Sequence, residues 1–421
     1  MNRFHAAVLA LCTAIAPFAS AAASVIRDWN DIAVTTIVTN AGKPPAVATI
    51  DLVYVNVAIY AAVNAIDGRH SVFAVSPGTP TAGASEEAAA IAAAYGVLKT
   101  FYPGQAVYLD GQYTASLVPI ADSDAKSRGV RIGQEVATRY LAQRSTDGRN
   151  ANITYTPGTG PGAWQPTPPA FAAAQGPWIA QMTPFAINSS SQFRADPPPA
   201  LGSKTWIADY NETRSLGDIN SVTRTPEQTE IGLFYSEHTA RQYNRILRDF
   251  ATAQNFSLAD EARFMAMMHV SIGDALISVW DSKFHYGRWR PVTVIRLTDD
   301  PNWTPLAVTP NHPEYPAAHG AFTAALAEGL RQVFGTKEVT ITLSSTVTGT
   351  TRTFYNTDDL LKEVVVGRIY GGMHFRTSVI EGIVLGTKAG KWVAKHCFLP
   401  ADEDDDAIGS SHREIRGLQD F

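Results

Sequence analysis

Three short segments of the chain concentrate side chains suited to chemistry on an anion. Between Lys283 and Pro291, one lysine and two arginines, Arg288 and Arg290, stand within eight residues. A single cation at a helix C-terminus serves the helix dipole, but a cluster repels itself unless an anion sits between its members. Arginine offers a planar fork for two oxygens and lysine a point charge, a combination suited to a tetrahedral oxyanion. The second segment runs from His312 to Gly320, where Pro316 stands at a place for a helix to begin. The free N–H groups of a first turn form an anion site by their own geometry, and His319 lies in that turn. In the third, Gly371 and Gly372 allow close backbone approach, with Arg368 before them and His374 after. Together these segments bring Lys283, Arg290, Arg368, His319 and His374 to one fold, and a bare-metal site does not explain the cations. A lone histidine is more often a satisfied core residue, and His238, His269 and His396 are read that way.

The elements that must position these residues read as helices. Apolar residues recur at helical spacing over Ala46 to Ile66, Ser85 to Phe101, Gln105 to Ile120 and Ala125 to Leu141. From about Thr154 to Leu201, Pro and Gly are dense and the periodicity vanishes. Trp164, Phe171, Trp178 and Phe185 give this stretch apolar anchors, which predicts an ordered wrap. Helices resume at Ser203 to Leu216, then at a capping box, Thr225 to Gln228, that opens a helix to about Phe250. Ser257 to Lys283 is the most apolar long helix and is expected at the centre. Ala317 to Phe334 follows, then about Leu360 to Ala394 with a break near Gly371 and Gly372. Val339 to Leu343 and Thr351 to Tyr355 alternate with period two around Gly349, the pattern of a hairpin. The reading is an all-α bundle with a Pro/Gly-rich wrap and one small β-hairpin. It divides into an N-terminal helical part at 24–202 and a site-bearing bundle at 203–400.

Composition and ends narrow the function. Residues 1–23 have a basic start, an apolar run from Ala6 to Phe18 and small residues around Ala21 and Ala23, which predicts a secretory signal and an exported, periplasmic or secreted protein. No later run is read as reaching the roughly 20 apolar residues of a membrane span. Of the two cysteines, Cys12 leaves with the signal and Cys397 stays alone, so no internal disulfide is expected. A formal net charge of −5 without a basic run argues against a nucleic-acid partner. The acidic string from Glu403 to Asp406, within the tail 401–421, reads as solvated, and a homo-oligomer is left open.

The spacing of the three segments resembles the signature joining vanadium-dependent haloperoxidases with type 2 phosphatidic acid phosphatases and bacterial acid phosphatases. It consists of a lysine and an Arg-Pro at Lys283 and Arg290, a Pro-x-x-His helix start at Pro316 to His319, and an arginine and histidine at Arg368 and His374. Val57 to Ile66, Tyr155 to Pro161 and Arg224 to Glu230 are similar to segments of the bacterial haloperoxidase-like branch. The resemblance implies a helical bundle and a vanadate cofactor. It makes His374 the vanadium ligand, or the phosphoryl-accepting nucleophile of a phosphatase. Lys283, Arg290 and Arg368 then neutralise the oxygens, with the backbone of Ala317 and Ala318 beside them. His319 becomes the acid–base residue and Lys283 polarises peroxide, while His312 and Arg288 are candidates to line the site. The implied partners are hydrogen peroxide and a halide, or a phosphoester.

Three positions depart from that pattern. Ala317 and Ala318 stand where Ser-Gly is usual. Losing the serine hydroxyl removes a hydrogen bond to a charged oxygen worth about 1.5–3 kcal/mol, or roughly ten- to a hundred-fold in affinity. Gly367 replaces a common serine. Ser378 stands where an aspartate is usual, one turn after His374, and takes away a carboxylate that would orient the site. The sequence therefore leaves three readings: a haloperoxidase, a phosphatase working through a phosphohistidine, and an oxyanion-binding relative without catalysis.

Overall fold

Side-chain caps fix where the helices begin. In the computed structural model, which describes residues 24–401, Ser24, Ser85, Ser123, Ser203, Ser257 and Asn356 each accept from a first-turn N–H. Thr225 and Gln228 form the expected reciprocal capping box. In chain order the helices are α1 (Val25–Val34), α2 (Pro45–Asp67), α3 (Glu86–Phe101), α4 (Ala106–Leu117), α5 (Asp124–Gln143), α6 (Lys204–Leu216) and α7 (Pro226–Phe234), followed by α8 (Thr239–Gln254) and α9 (Leu258–Tyr286). Then come α10 (Pro291–Thr298), α11 (Ala318–Phe334), the antiparallel hairpin β1 (Ile341–Ser344) and β2 (Thr351–Phe354), α12 (Thr357–Tyr370) and α13 (Arg376–His396). The protein has an all-α bundle fold, with one two-stranded sheet among the described residues.

At the centre lies α9, packed against α2 on one side and α11 and α13 on the other. Both α2 and α9 are long and apolar enough to cross a membrane, contrary to the sequence expectation. Yet 94% of each apolar window is buried inside the fold. A helix that is apolar all round is satisfied by protein neighbours as well as by lipid. Elsewhere, α13 lays Gly382 and Gly386 against the carbonyls of Ala317 and Ala321, where a Cβ would stand 2.3 and 2.1 Å from the oxygens. Only glycine permits this approach, and it fixes the start of α11 beside the start of α13.

Several expectations need correction. The helix from Thr225 to about Phe250 is two helices, interrupted at 235–238 by tertiary bonds. There the Tyr235 carbonyl accepts from Arg368, and the Glu237 carboxylate accepts from Arg245 and from the Thr346 N–H. Beyond the predicted helices the fold contains α1 and α10, the latter opened by Pro291 in its first turn. The wrap is present, and Trp164 and Trp178 are buried in it, but Phe171 is 63% exposed and anchors nothing. His269 is a core residue as expected, whereas His396 is exposed and bonded within its own helix. The signal segment and residues 403–406 lie outside the described residues.

Two buried groups on α9 titrate in opposite senses. Burial pushes His269 down to about 4 from 6.5, and the fold loses stability as pH falls through that window. Asp274 accepts from the N–H groups of Phe185, Ala186 and Ile187, yet burial pushes it up to about 6 from 3.8. Its stabilising contribution is present at low pH and is lost as pH rises through 6. Asp274→Asn is therefore expected to uncover the histidine effect. At about 1.4 kcal/mol per pK unit, the variant should lose about 3 kcal/mol relative to the wild type between pH 6 and 4. Urea unfolding across that range measures it, and parallel curves would show that Asp274 titrates normally.

Candidate active site

Five elements converge on one cavity of about 480 Å³. Lys283 comes from the last turn of α9, Arg290 caps α10, and Arg368 sits in the last turn of α12. His319 lies in the first turn of α11, and His374 on the short connection into α13. His312, Ala318, His319, Arg368 and His374 all face the cavity. Arg290 lies behind this lining and bonds two of its members, with Nη1 3.1 Å from His374 Nε2 and Nη2 3.0 Å from His312 Nδ1. Lys283 donates to the carbonyls of Pro313 and Glu314 at 2.8 and 2.9 Å. Side chains from all three sequence segments thus lie together.

The electrostatics of this site are lopsided. Lys283 and Arg290 are 0% exposed and Arg368 2%, against a single carboxylate in the cluster, Glu314. Burial holds Arg290 down at about 9 and Arg368 at about 10, and it drives Lys283 well below its ordinary value, helped by Arg290. Burial also keeps His312, His319 and His374 neutral, and the neighbouring cations add to the effect. Three buried cations facing one carboxylate call for an anion. Arg368 shows where it belongs: its Nη1 serves Tyr235 O, but its buried Nε has no hydrogen-bond partner. The donor set fits vanadate or phosphate. Among the described residues, no cluster of His, Cys, Asp and Glu side chains is arranged for a bare metal ion.

The Arg288 guanidinium and the Ala317 N–H are both engaged outside the cavity. Arg288 does not line the cavity; its Nη2 donates to Pro199 O at 3.1 Å and so ties the wrap to α10. Ala317 is the N-cap of α11, but its N–H is already donated to Ser378 O at 2.9 Å. Ala318 borders the cavity in ordinary right-handed helical backbone. Three residues that the sequence reading gave no role belong here. Glu314 Oε1 lies 2.8 Å from His374 Nδ1, Thr239 Oγ1 lies 3.3 Å from His319 Nε2, and His238 lines the cavity. The cation excess was the signal that a buried carboxylate must be near. Thr239 and His238 were hidden inside a segment read as continuous helix.

These positions sharpen the consequence of the missing serine. Ala317→Ser would place a hydroxyl at the N-cap, where it can accept from the first turn and donate to an oxyanion. The variant is expected to bind phosphate or vanadate about ten- to a hundred-fold tighter. Ala318→Gly is expected to gain nothing, because its backbone is unstrained. Calorimetric titration of both variants beside the wild type decides. No gain from the serine would mean a pocket rebuilt around alanine.

Comparison with known proteins agrees with this geometry. Residues 263–401 match the family described as VCPO second helical-bundle domain. Over this domain and by its overall fold, the chain is similar to vanadium haloperoxidases. A vanadium chloroperoxidase from Curvularia inaequalis is 26% identical over 202 residues, covering 39% of this chain and 33% of that relative. The chain therefore matches about a third of the curated relative's length. The crystal structure of a bacterial vanadium-dependent iodoperoxidase superposes with a TM-score of 0.77 at 24% identity, over 90% of this chain and 97% of the other. A holo-type bacterial vanadium-dependent chloroperoxidase gives 0.69 at 19% identity, over 86% and 93%. All the elements that build the cavity from Lys283 onward fall inside the matched family domain, whereas Thr239 and His238 precede it.

Proposed function

We propose that this protein oxidises halide with hydrogen peroxide at a vanadate held by His374. The overall change balances as halide, hydrogen peroxide and one proton giving hypohalous acid and water. The observation that carries the reading is the cluster of three buried cations near His374, with Arg290 on its Nε2 and one carboxylate on its Nδ1. Bound there, vanadate would supply a Lewis-acidic centre that makes peroxide electrophilic toward halide. Lys283, Arg290 and Arg368 would hold its oxygens, and His374 would offer the Nε2 lone pair. His319 would move the proton, steadied by Thr239, and the ring of His312, packed 4.9 Å from Trp280, would border the entering halide. The N-terminal segment supports export to the periplasm or medium, which cell fractionation would test.

Glu314 also strengthens a second reading, phosphoester hydrolysis through a phosphohistidine. It gives His374 the carboxylate that Ser378 does not. The deciding experiment loads the protein with vanadate and follows peroxide-dependent halogenation of a phenol with iodide, bromide and chloride. Hydrolysis of a chromogenic phosphoester is measured on the vanadate-free protein in parallel. Halogenation that requires vanadate supports the first reading, and phosphoester turnover alone replaces it with the second.

A further inference from the structure

Glu314 sits where no neighbour on its own segment explains it. Between Pro313 and Pro316 it is 2% exposed, and its side chain enters the cation cluster from the loop ahead of α11. Its Oε1 accepts from two groups, the Phe375 N–H at 3.1 Å and His374 Nδ1 at 2.8 Å. The backbone bond matters because it fixes that oxygen as an acceptor. The ring nitrogen facing it must then carry the hydrogen. On the other side of the ring, Nε2 lies 3.1 Å from Arg290 Nη1, which can only donate. Both partners therefore demand the same tautomer, with hydrogen on Nδ1 and a lone pair on Nε2. One turn on, the Ser378 hydroxyl donates to the Glu314 carbonyl at 3.4 Å, and the Lys283 ammonium donates to that carbonyl at 2.9 Å, so the residue's backbone is held as well.

We infer that Glu314 is a positioning residue that locks His374 in the Nδ1–H tautomer and so makes Nε2 the nitrogen that takes the oxyanion. The inference rests on the reading that His374 is the oxyanion ligand. It takes the place of a carboxylate on α13, where Ser378 stands. A residue that orients a ligating imidazole in this way typically affects ligand affinity about ten- to a hundred-fold. The claim opposes simple electrostatics. If Glu314 acted only as a negative charge beside an anion site, removing it would tighten anion binding. If it sets the tautomer, removing it weakens binding although the pocket becomes more positive.

Nitrogen-15 NMR of the histidine-labelled, full-length protein tests the tautomer without any ligand. The expected result is a protonated Nδ1 and a bare Nε2 on His374 in the wild type and in Glu314→Gln, whose carbonyl can still accept both bonds. Glu314→Leu is expected to mix the tautomers and to bind inorganic phosphate at least about ten-fold more weakly. A proton on Nε2 in the wild type overturns the inference, as does unchanged or tighter phosphate binding in Glu314→Leu. Should the leucine variant not fold, the wild-type and glutamine spectra still decide. A wild type that shows the Nδ1–H tautomer but no phosphate affinity would remove the oxyanion reading and leave the tautomer assignment standing.

Discussion

Replacing His374 by alanine is expected to weaken vanadate or phosphate binding by at least about a hundred-fold while the fold survives. The ring contributes the Nε2 lone pair, and no cation in the cluster can supply a nitrogen ligand in its place. Its loss leaves Arg290 with Met373 O and His312 O, each at 2.9 Å, and leaves Glu314 with the Phe375 N–H. Each loses one partner and keeps others, so the stability cost should be about 1–3 kcal/mol. His319→Ala separates binding from chemistry. The oxyanion contacts of Lys283, Arg290 and Arg368 remain, so affinity should change little. Turnover, where present, should fall about 10²- to 10⁴-fold with the proton-transfer group gone. Calorimetry and melting curves on both variants test the pair. Unchanged binding in the His374 variant would eliminate that residue as the ligand.

How far the site could be read from sequence depends on whether a residue's role is local. Lys283, Arg290, Arg368, His319 and His374 announce themselves because clustered cations and paired glycines are costly without a ligand. The Thr225 and Gln228 capping box, the hairpin around Gly349 and the central apolar helix are likewise set by residues close in sequence. The break at 235–238 is not: no Gly or Pro marks it, and α7 ends where the Tyr235 carbonyl is taken by Arg368, 133 residues away. Glu314 belongs to the same class. Alone between prolines it reads as one more acidic residue, and only the approach of α13 gives it His374 as a partner. Arg288 fails in the opposite way, since local crowding suggested a ligand but the wrap takes its guanidinium. Residues that act across elements are silent until the elements meet.

That cost of assembling the site gives the most demanding expectation. Arg368→Met should make the protein more stable in oxyanion-free buffer and a far poorer oxyanion binder. Burial lowers Arg368 to about 10, which means the charged form is held at a cost in the folded state at neutral pH. Its hydrogen bonding is incomplete, with Nη1 on Tyr235 O and Nη2 on Met373 Sδ but a bare Nε. Methionine fills similar space and removes the buried charge, at the cost of leaving one carbonyl short of a donor. Replacing buried ions by apolar side chains is often neutral or stabilising by about 1–4 kcal/mol, and here Arg368 bonds Tyr235 O and Met373 Sδ rather than Glu314. The oxyanion, by contrast, loses a buried donor that the fold leaves unpartnered. A truncated partner of a buried charge pair costs about 2–5 kcal/mol, or some thirty- to several-thousand-fold in affinity. In the wild type the same logic makes phosphate or vanadate a stabiliser, adding about 2.7 kcal/mol at a hundred times its dissociation constant. Melting curves with and without phosphate should therefore cross over, the variant melting higher without the anion and the wild type higher at saturation. A variant that melts lower in both buffers would show that Arg368 serves the fold through Tyr235 and not the anion.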